Sequence, residues 1–382
     1  MTNISHSFAL KGLALAALAL LAGCGASDGS KELAAGKAAY DAGNVKRAEA
    51  LFTSSLEANP TNADAHVYMA LVNLQQGLLQ EARAHALEAE SLAGGDVDVR
   101  LLSAQIAWHL KDYEKAARIY RAIAEDVVFP AALRARAWTE LGLVQMAGNA
   151  YDLARLSFLR ALRLDFKSPA AHYHLGVLYR YAPFAYAEAA LEQFEIFVRL
   201  SPEMDARVQK TCKTTIPALK ETIARQTADI PGVARRNSAS SVAALARADK
   251  AWKKNAFKTA VKEYRAAYEA DPLAYPAARG LARALLKADT SRAGQKQALD
   301  AYRKACALRP SAVATFVEAG ALAERLGQVA TAREIYSRAL AADPASVDVL
   351  DGLVRALRKT GDKKVAAAYQ AYRESLAKKA RR

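Results

Sequence analysis

A spacing of 34 residues recurs along this chain and limits its fold more than any other feature. Four positions follow one another in a fixed order: a small residue, a turn, a second small residue, and a residue that is aromatic in two of the first three copies. The order returns one spacing later. The first three copies are Gly36, Gly43-Asn44, Ala48 and Phe52; Ala70, Gly77, Ala82 and Ala86; and Ala104, Lys111-Asp112, Ala116 and Tyr120. Such self-similarity predicts a repeat architecture in which each unit packs mainly against its neighbours.

The fourth copy has the fullest set of these positions: Trp138, Leu141, Gly142, Ala154, Phe158 and Ala161. This pattern resembles the tetratricopeptide repeat (TPR), a pair of antiparallel helices with small residues where the helices meet. The resemblance implies an all-α fold, a right-handed superhelical solenoid of helix-turn-helix repeats with about eight or nine units in two arrays. It covers nearly all of the chain that follows the N-terminal segment.

The two arrays are separated where the pattern stops and restarts. Residues 227–241 lack periodicity and contain Pro, Gly and Ser, and the repeat resumes with Ala248, Ala260 and Tyr264. The predicted organisation is a signal peptide at 1–23, a tether at 24–31, a first array with a closing helix at 32–226, a linker at 227–241, a second basic array at 242–376, and a basic tail at 377–382.

The N-terminal segment has the features of an export signal. A positive charge at Lys11 precedes an apolar run of 11 residues, too short to span a bilayer, and Leu21-Ala22-Gly23-Cys24 follows at once. This segment resembles the lipobox of bacterial lipoproteins, which implies acylation of Cys24 and a stable membrane anchor. Gly25 rather than Asp follows the cysteine, so the resemblance implies delivery to the outer membrane, facing the periplasm. An ordinary signal peptide with a chance cysteine is the alternative.

Three common motifs for catalysis and metal binding are absent from the sequence. It has no H-E-x-x-H, G-x-x-x-x-G-K or C-x-x-C, and His172 and His174 are spaced to point to different faces of a helix. We therefore expect no enzyme activity, no cofactor and no metal. Cys212 and Cys306 could form a disulfide in an exported protein, but their helical surroundings favour buried free thiols.

Charge is distributed unevenly between the predicted arrays. Residues 24–226 contain 23 Lys and Arg and 24 Asp and Glu, whereas residues 227–382 contain 30 and 15. The excess of the whole chain, +15, therefore arises in the second half. Such asymmetry indicates different partners for the two halves.

The TPR resemblance also implies which residues line the concave groove of each array, because the first helix of each repeat faces it. In the first array these are apolar or aromatic, which suits an amphipathic helix or an apolar peptide: Tyr40, Val67, Leu74, Leu101, Trp108, Met146, Tyr173 and Tyr181. In the second array most are basic, which suits an acidic peptide or another anionic partner: Trp252, Lys253, Arg279, Arg283, Lys287, Arg325, Arg355, Arg358 and Lys359. The alternatives are core packing for the aromatic residues and plain solvation for the basic ones.

Two functions of different classes fit these observations. The first is a non-catalytic scaffold, anchored in the outer membrane, that docks envelope proteins during assembly of a pilus, secretion or polysaccharide-export complex. The second is a structural envelope protein whose basic array binds anionic polysaccharide or cell wall. Nucleic acid, the usual partner of a basic surface, is not expected for an exported protein.

Overall fold

The computed structural model describes residues 28–181, 184–202 and 206–380, and over these ranges its regular elements are all helices. The α-helices are α1 (Ser30–Asp41), α2 (Val45–Ala58), α3 (Ala63–Gln76), α4 (Leu79–Ala93), α5 (Val97–His109), α6 (Tyr113–Glu125), α7 (Ala131–Ala147), α8 (Tyr151–Leu164), α9 (Pro169–Arg180), α10 (Ala187–Leu200), α11 (Ala206–Ala228), α12 (Ser238–Lys253), α13 (Phe257–Ala270), α14 (Tyr275–Ala288), α15 (Arg292–Leu308), α16 (Val313–Arg325), α17 (Val329–Ala342), α18 (Val347–Lys359) and α19 (Lys363–Ala380). The predicted all-α repeat solenoid is confirmed.

The helices form antiparallel pairs, and the chain divides into two compact units after Ala171, inside α9. The first unit contains the pairs α1/α2, α3/α4, α5/α6 and α7/α8. The second unit contains α9/α10, the single helix α11, and the pairs α12/α13, α14/α15, α16/α17 and α18/α19. We call the members of each pair its first and second helix. The nine pairs in the described ranges agree with the eight or nine repeats predicted from the sequence.

The same turn joins the two helices in seven of these pairs. A residue with positive φ ends the first helix, and the next amide donates to the carbonyl five residues earlier, as from Asn44 to Ala39 and from Asp112 to Ala107. Glycine adopts this left-handed conformation without strain, as at Gly43 and Gly327, but Lys111 adopts it as well (φ 62°). The turns at Gly43-Asn44 and Lys111-Asp112 therefore lie where the 34-residue spacing predicts them.

Close contacts between small and aromatic residues lock the pairs together. The rings of Phe158 and Tyr336 lie so near Gly142 and Gly320 that a side chain at either glycine would overlap the ring. Tyr336 also lies against Gly352 of the following repeat, so two glycines enclose one fully buried ring. This is the close approach of helices that small residues allow.

The segment between α11 and α12 contains a single 3₁₀ turn, Val233–Arg235. Two hydrogen bonds attach its C-terminal end to α13: the amide of Asn237 donates to Ala270 O (2.6 Å), and Ser241 Oγ donates to Ala267 O (2.8 Å). The predicted linker at 227–241 thus overlaps the ends of two helices. The compact units divide at Ala171 instead, and the predicted array boundaries stay a prediction.

Candidate functional site

Four residues of the predicted first groove belong to the first unit and share one structural position. They lie in the last turn of four successive first helices and are all half-buried: Tyr40 in α1, Leu74 in α3, Trp108 in α5 and Met146 in α7. The 34-residue spacing therefore places half-buried apolar or aromatic residues at equivalent positions of successive first helices in this unit. Val67 is half-buried, whereas Leu101 belongs to the core.

Packing uses much of the surface of these four residues. The ring of Tyr40 meets that of Tyr68 edge-on, with centroids 5.9 Å apart, and its buried hydroxyl has no hydrogen-bond partner among the described atoms. Burial raises the pKa of Tyr40 to about 12, so the hydroxyl stays protonated. Trp108 packs against the core cluster formed by α5, α6 and α7. The remaining exposed surface is an apolar row, in keeping with the predicted chemistry.

The other two first-groove residues lie in the second unit and differ from each other. Tyr173 is 4% exposed and packs on Phe194 and Phe197 of α10, at centroid distances of 5.8 and 5.2 Å. It is a core residue, and its assignment to a binding groove was wrong, because at this position the first helix faces its own second helix. Tyr181 follows α9, is 46% exposed and lies under the Arg180 guanidinium at 5.2 Å.

The predicted second groove lies wholly within the second unit, on four first helices. Trp252 and Lys253 end α12, and Arg325 ends α16. Arg279, Arg283 and Lys287 follow one face of α14 at four-residue spacing, while Arg355, Arg358 and Lys359 belong to α18. Helices α12 and α14 contact each other, as do α16 and α18.

Three of the predicted arginines already have partners within the unit. Arg279 donates to Glu318 at 3.0 Å, and Arg355 donates to Glu324 at 3.1 Å. The guanidinium of Arg283 lies 5.2 Å from the centre of the Trp252 ring, a cation–π arrangement. The groove is therefore less basic than its count of cations suggests.

The carboxylates in this groove were missed by the sequence analysis. Each lies near a tyrosine that occupies the aromatic position of the repeat. Tyr264 donates to Asp249 at 2.6 Å, and burial together with this bond raises the pKa of its hydroxyl. Burial and the Glu318 carboxylate raise the pKa of Tyr302, and burial and Glu324 raise that of Tyr336 to about 12. Part of the signal was present in the sequence: the aromatic position holds Tyr in all three of these repeats, whereas in the first unit it holds Phe52, Tyr120 and Phe158.

The remaining predicted cations are exposed and form no ion pair with any residue that the structure describes. Four of them end, or nearly end, successive first helices: Lys253 (α12), Lys287 (α14), Arg325 (α16) and Lys359 (α18). We call these four the cation row. Arg358 lies beside the last of them. Arg325 and Lys359 border a depression of about 620 Å³ that Leu286, Tyr302, Glu318 and Glu324 also line.

Both predicted thiols are free and buried, so the sequence expectation for them is confirmed. Burial raises the pKa of Cys212 to about 11 and that of Cys306 to about 12, which makes both thiols unreactive at neutral pH. Among the described residues, no group of three or more His, Cys, Asp or Glu could hold a metal ion. The His66 and His85 rings pair through their Nδ1 atoms at 3.0 Å.

Cys24 and the predicted signal peptide lie outside the described residues. Within the described ranges, the longest and most apolar helices fall short of what a membrane crossing requires.

Comparisons with known proteins bear on the fold. A family model described as tetratricopeptide repeat matches residues 33–97, 101–169 and 317–380, together more than half of the chain. Solved structures similar to this chain include pilF of Pseudomonas aeruginosa (20% identity, 53% of this chain and 92% of that chain, TM-score 0.42). They also include MamA of Desulfovibrio magneticus (17%, 47% and 98%, 0.40) and a thermophilic TPR protein of Thermus thermophilus (20%, 49% and 98%, 0.42). No curated protein sequence matches the chain.

Proposed function

Since the chain belongs to the tetratricopeptide repeat family, whose members are generally protein-interaction scaffolds, we propose that it is a non-catalytic docking protein of the bacterial envelope. Its second unit binds an acidic segment of a partner protein, and the apolar row of its first unit binds a less polar one. The observation behind this proposal is the cation row, four exposed charges at equivalent positions of successive repeats.

The envelope location rests on the N-terminal sequence. Lys11, the apolar run and Leu21-Ala22-Gly23-Cys24 have the order and spacing of a lipoprotein signal. Acylation of Cys24 would anchor the chain, and Gly25 favours the outer membrane, with the repeats facing the periplasm. A scaffold held there would support assembly of an envelope complex of the pilus, secretion or polysaccharide-export type.

A photocrosslinking experiment in intact cells tests docking. A photoreactive residue replaces Ala321, which lines the depression beside Arg325, and a matched control replaces Lys262 on the exposed face of α13. We expect the Ala321 probe to capture a defined set of envelope proteins and the Lys262 probe to capture none of them. Equal patterns from the two positions would count against a docking groove.

Fractionation of the same cells tests the anchor. The wild type is expected in the outer-membrane fraction and the Cys24→Ser variant outside it, with the cleaved acyl-cysteine detectable by mass spectrometry only in the wild type. A wild type without the acyl-cysteine, or a Cys24→Ser variant that stays in the outer-membrane fraction, would remove the lipoprotein proposal and leave the docking proposal to be judged on the crosslinks.

The alternative is a structural protein that binds anionic polysaccharide or cell wall. The same cation row favours it, because exposed Lys and Arg also attract polyanions without regard to sequence. Retention of the purified chain on an anionic polysaccharide, lost gradually with salt and with no protein captured at Ala321, would support this alternative.

A further inference from the structure

We propose that the cation row binds an extended acidic segment of a partner in which every third residue is a carboxylate. This inference rests on the proposed docking function and specifies the conformation and the charge register of the ligand.

The spacing of the row follows from helix packing. Successive first helices of the second unit contact one another: α12 packs beside α14 and α16 beside α18, and α14 meets α16 through the Arg279–Glu318 ion pair. Packed helices have axes about 8–10 Å apart, so neighbouring cations recur at about 10 Å. A polyproline II segment has three residues per turn and a rise of about 3.1 Å per residue, which brings every third side chain to the same face at about 9 Å. A chain in this conformation can therefore place one carboxylate opposite each cation.

The row is available for a ligand because the rest of the groove is already neutralised. Arg279 and Arg355 are held by Glu318 and Glu324, and Arg283 lies on Trp252. A carboxylate that approached those arginines would have to displace an internal partner, whereas Lys253, Lys287, Arg325 and Lys359 face solvent without an ion pair to any described residue.

The helix dipole does not by itself explain the row. Cations in the last turn of a helix are favourable in any helix, through the partial negative charge at its C-terminus. The corresponding first helices of the first unit, α1, α3, α5 and α7, have no Lys or Arg there. Helices α12, α14, α16 and α18 all do. A property shared by all helices cannot produce this difference between the units.

One feature of the depression favours an extended ligand over a helical one. Glu318 lines the depression beside Arg325 and Lys359, and its side chain is 33% exposed. A polyproline II backbone has free N–H groups that can donate to this exposed carboxylate, whereas an α-helix uses its own internally.

Synthetic peptides of one composition test the register. Binding of the purified full chain is measured by fluorescence anisotropy for a 12-residue peptide of Ala and Pro with Glu at every third position and for an isomer with its four Glu adjacent. A helical peptide with Glu at every seventh position, and a sulfated polysaccharide, complete the set. We expect the every-third peptide to bind about fivefold or more tightly than its isomer, with an affinity that falls as salt rises.

Two variants of equal charge assign the effect to the row. Lys253→Gln, Lys287→Gln, Arg325→Gln and Lys359→Gln together should abolish binding, and each alone should weaken it about two- to fivefold. The control combines Lys262→Gln, Arg265→Gln, Lys296→Gln and Lys364→Gln, which are exposed on second helices, and should bind as the wild type does. Circular dichroism confirms that both variants are folded.

The other outcomes overturn the inference at different levels. Equal binding of the two isomers, lost in the row variant, would refute the register and leave the acidic-partner proposal standing. Tightest binding of the helical peptide would refute the extended conformation. Row-dependent binding of the polysaccharide alone would replace a protein partner by a polymer, and no binding of any probe would refute the proposed function of this groove together with the inference.

Discussion

The two units of this chain use the same backbone arrangement and present different chemistry on it. In both, a left-handed residue ends most first helices and a small residue packs on an aromatic ring of the second helix, as Gly142 does on Phe158 and Gly320 on Tyr336. The exposed positions differ. Residues 28–171 contain 16 Lys and Arg and 18 Asp and Glu, whereas residues 172–382 contain 37 and 21.

This difference shows that one set of positions determines the fold and another determines the chemistry of the exposed surface. Turn and contact residues determine the repeat, and they tolerate little change because they are buried or conformationally restricted. The last turns of the first helices keep some exposed surface, and that surface is apolar in one unit (Tyr40, Leu74) and cationic in the other (Lys287, Arg325) on the same repeat fold. A fold of this kind therefore says little about its ligand, and the exposed rows say more.

Low pH should destabilise the second unit more than the first, and this is the largest difference that we expect between the units. Burial lowers the pKa of His174 in the second unit to about 4, whereas the histidines of the first unit include the half-buried His85, whose pKa burial and His66 lower. The unfolded chain binds the proton on His174 more readily than the folded chain does. The free energy of unfolding therefore keeps its full value above about pH 6.5 and decreases by about 3 kcal/mol as the pH falls towards 4.

Hydrogen exchange at pH 7 and pH 4.5 would measure this effect in each unit. Amides of α9 and α10 should lose protection in acid, and His174→Gln should reduce the change between the two pH values. Greater acid sensitivity in α3 and α4, around His66 and His85, would contradict the comparison.

Overpacking the two equivalent glycines should destabilise both units, and the second one more. Gly320→Leu and Gly142→Leu each force a side chain into a buried ring, at a cost of about 1–3 kcal/mol. Because Tyr336 is enclosed by Gly352 on its other side, it can yield less than Phe158. Urea denaturation measures the loss, with Gly95→Ala, which meets nothing within 4 Å, as the neutral control. A larger loss at Gly142 would show that the second glycine does not restrict the ring.

Breaking the Arg355–Glu324 ion pair should increase the difference between the two units in their affinity for an acidic peptide. Glu324→Gln frees Arg355, so the second unit should bind an acidic peptide about two- to fivefold more tightly, while stability changes by less than about 1 kcal/mol because Arg355 is half exposed. Glu334→Gln, exposed on α17, is the matched control. Unchanged affinity in the first variant would mean that Arg355 does not reach the ligand.

The smallest effects concern the turn that both units share. Lys111 adopts the conformation for which Gly327 is suited, so Lys111→Gly should stabilise the chain by about 1 kcal/mol and Gly327→Ala should destabilise it by about as much. Thermal unfolding of the two variants would measure opposite shifts. Shifts of the same sign would show that side-chain contacts, rather than backbone conformation, decide stability at these turns.

Sequence patterns predicted the repeat well because its determinants are local. Gly36 and Phe52, or Ala104 and Tyr120, lie 16 residues apart in one helix pair, so a single spacing predicts the turn, the contact and the number of repeats. The groove was predicted only in part. On a first helix, a position that faces solvent and a position that faces the adjacent helix are separated by only a fraction of a helical turn, so the sequence spacing does not distinguish them. Tyr173 was assigned to the groove for this reason and belongs to the core.

Charge pairing was the other part that the sequence could not provide. Arg279 and Glu318 are 39 residues apart, and Arg355 and Glu324 are 31 apart, so neither pair follows from a helical spacing within one element. Counting cations along the first helices therefore overstated the free charge of the groove.

Placement of the cation row at helix ends also has a kinetic consequence. Each of these charges is already stabilised by the carbonyl groups of its own helix, so a single incoming carboxylate gains little and leaves quickly. Several matched carboxylates must dissociate at the same time before a partner leaves the groove. The residence time therefore rises steeply with the length of the acidic stretch. A groove of this design would sort its partners by how long they stay and would exchange short ones continuously.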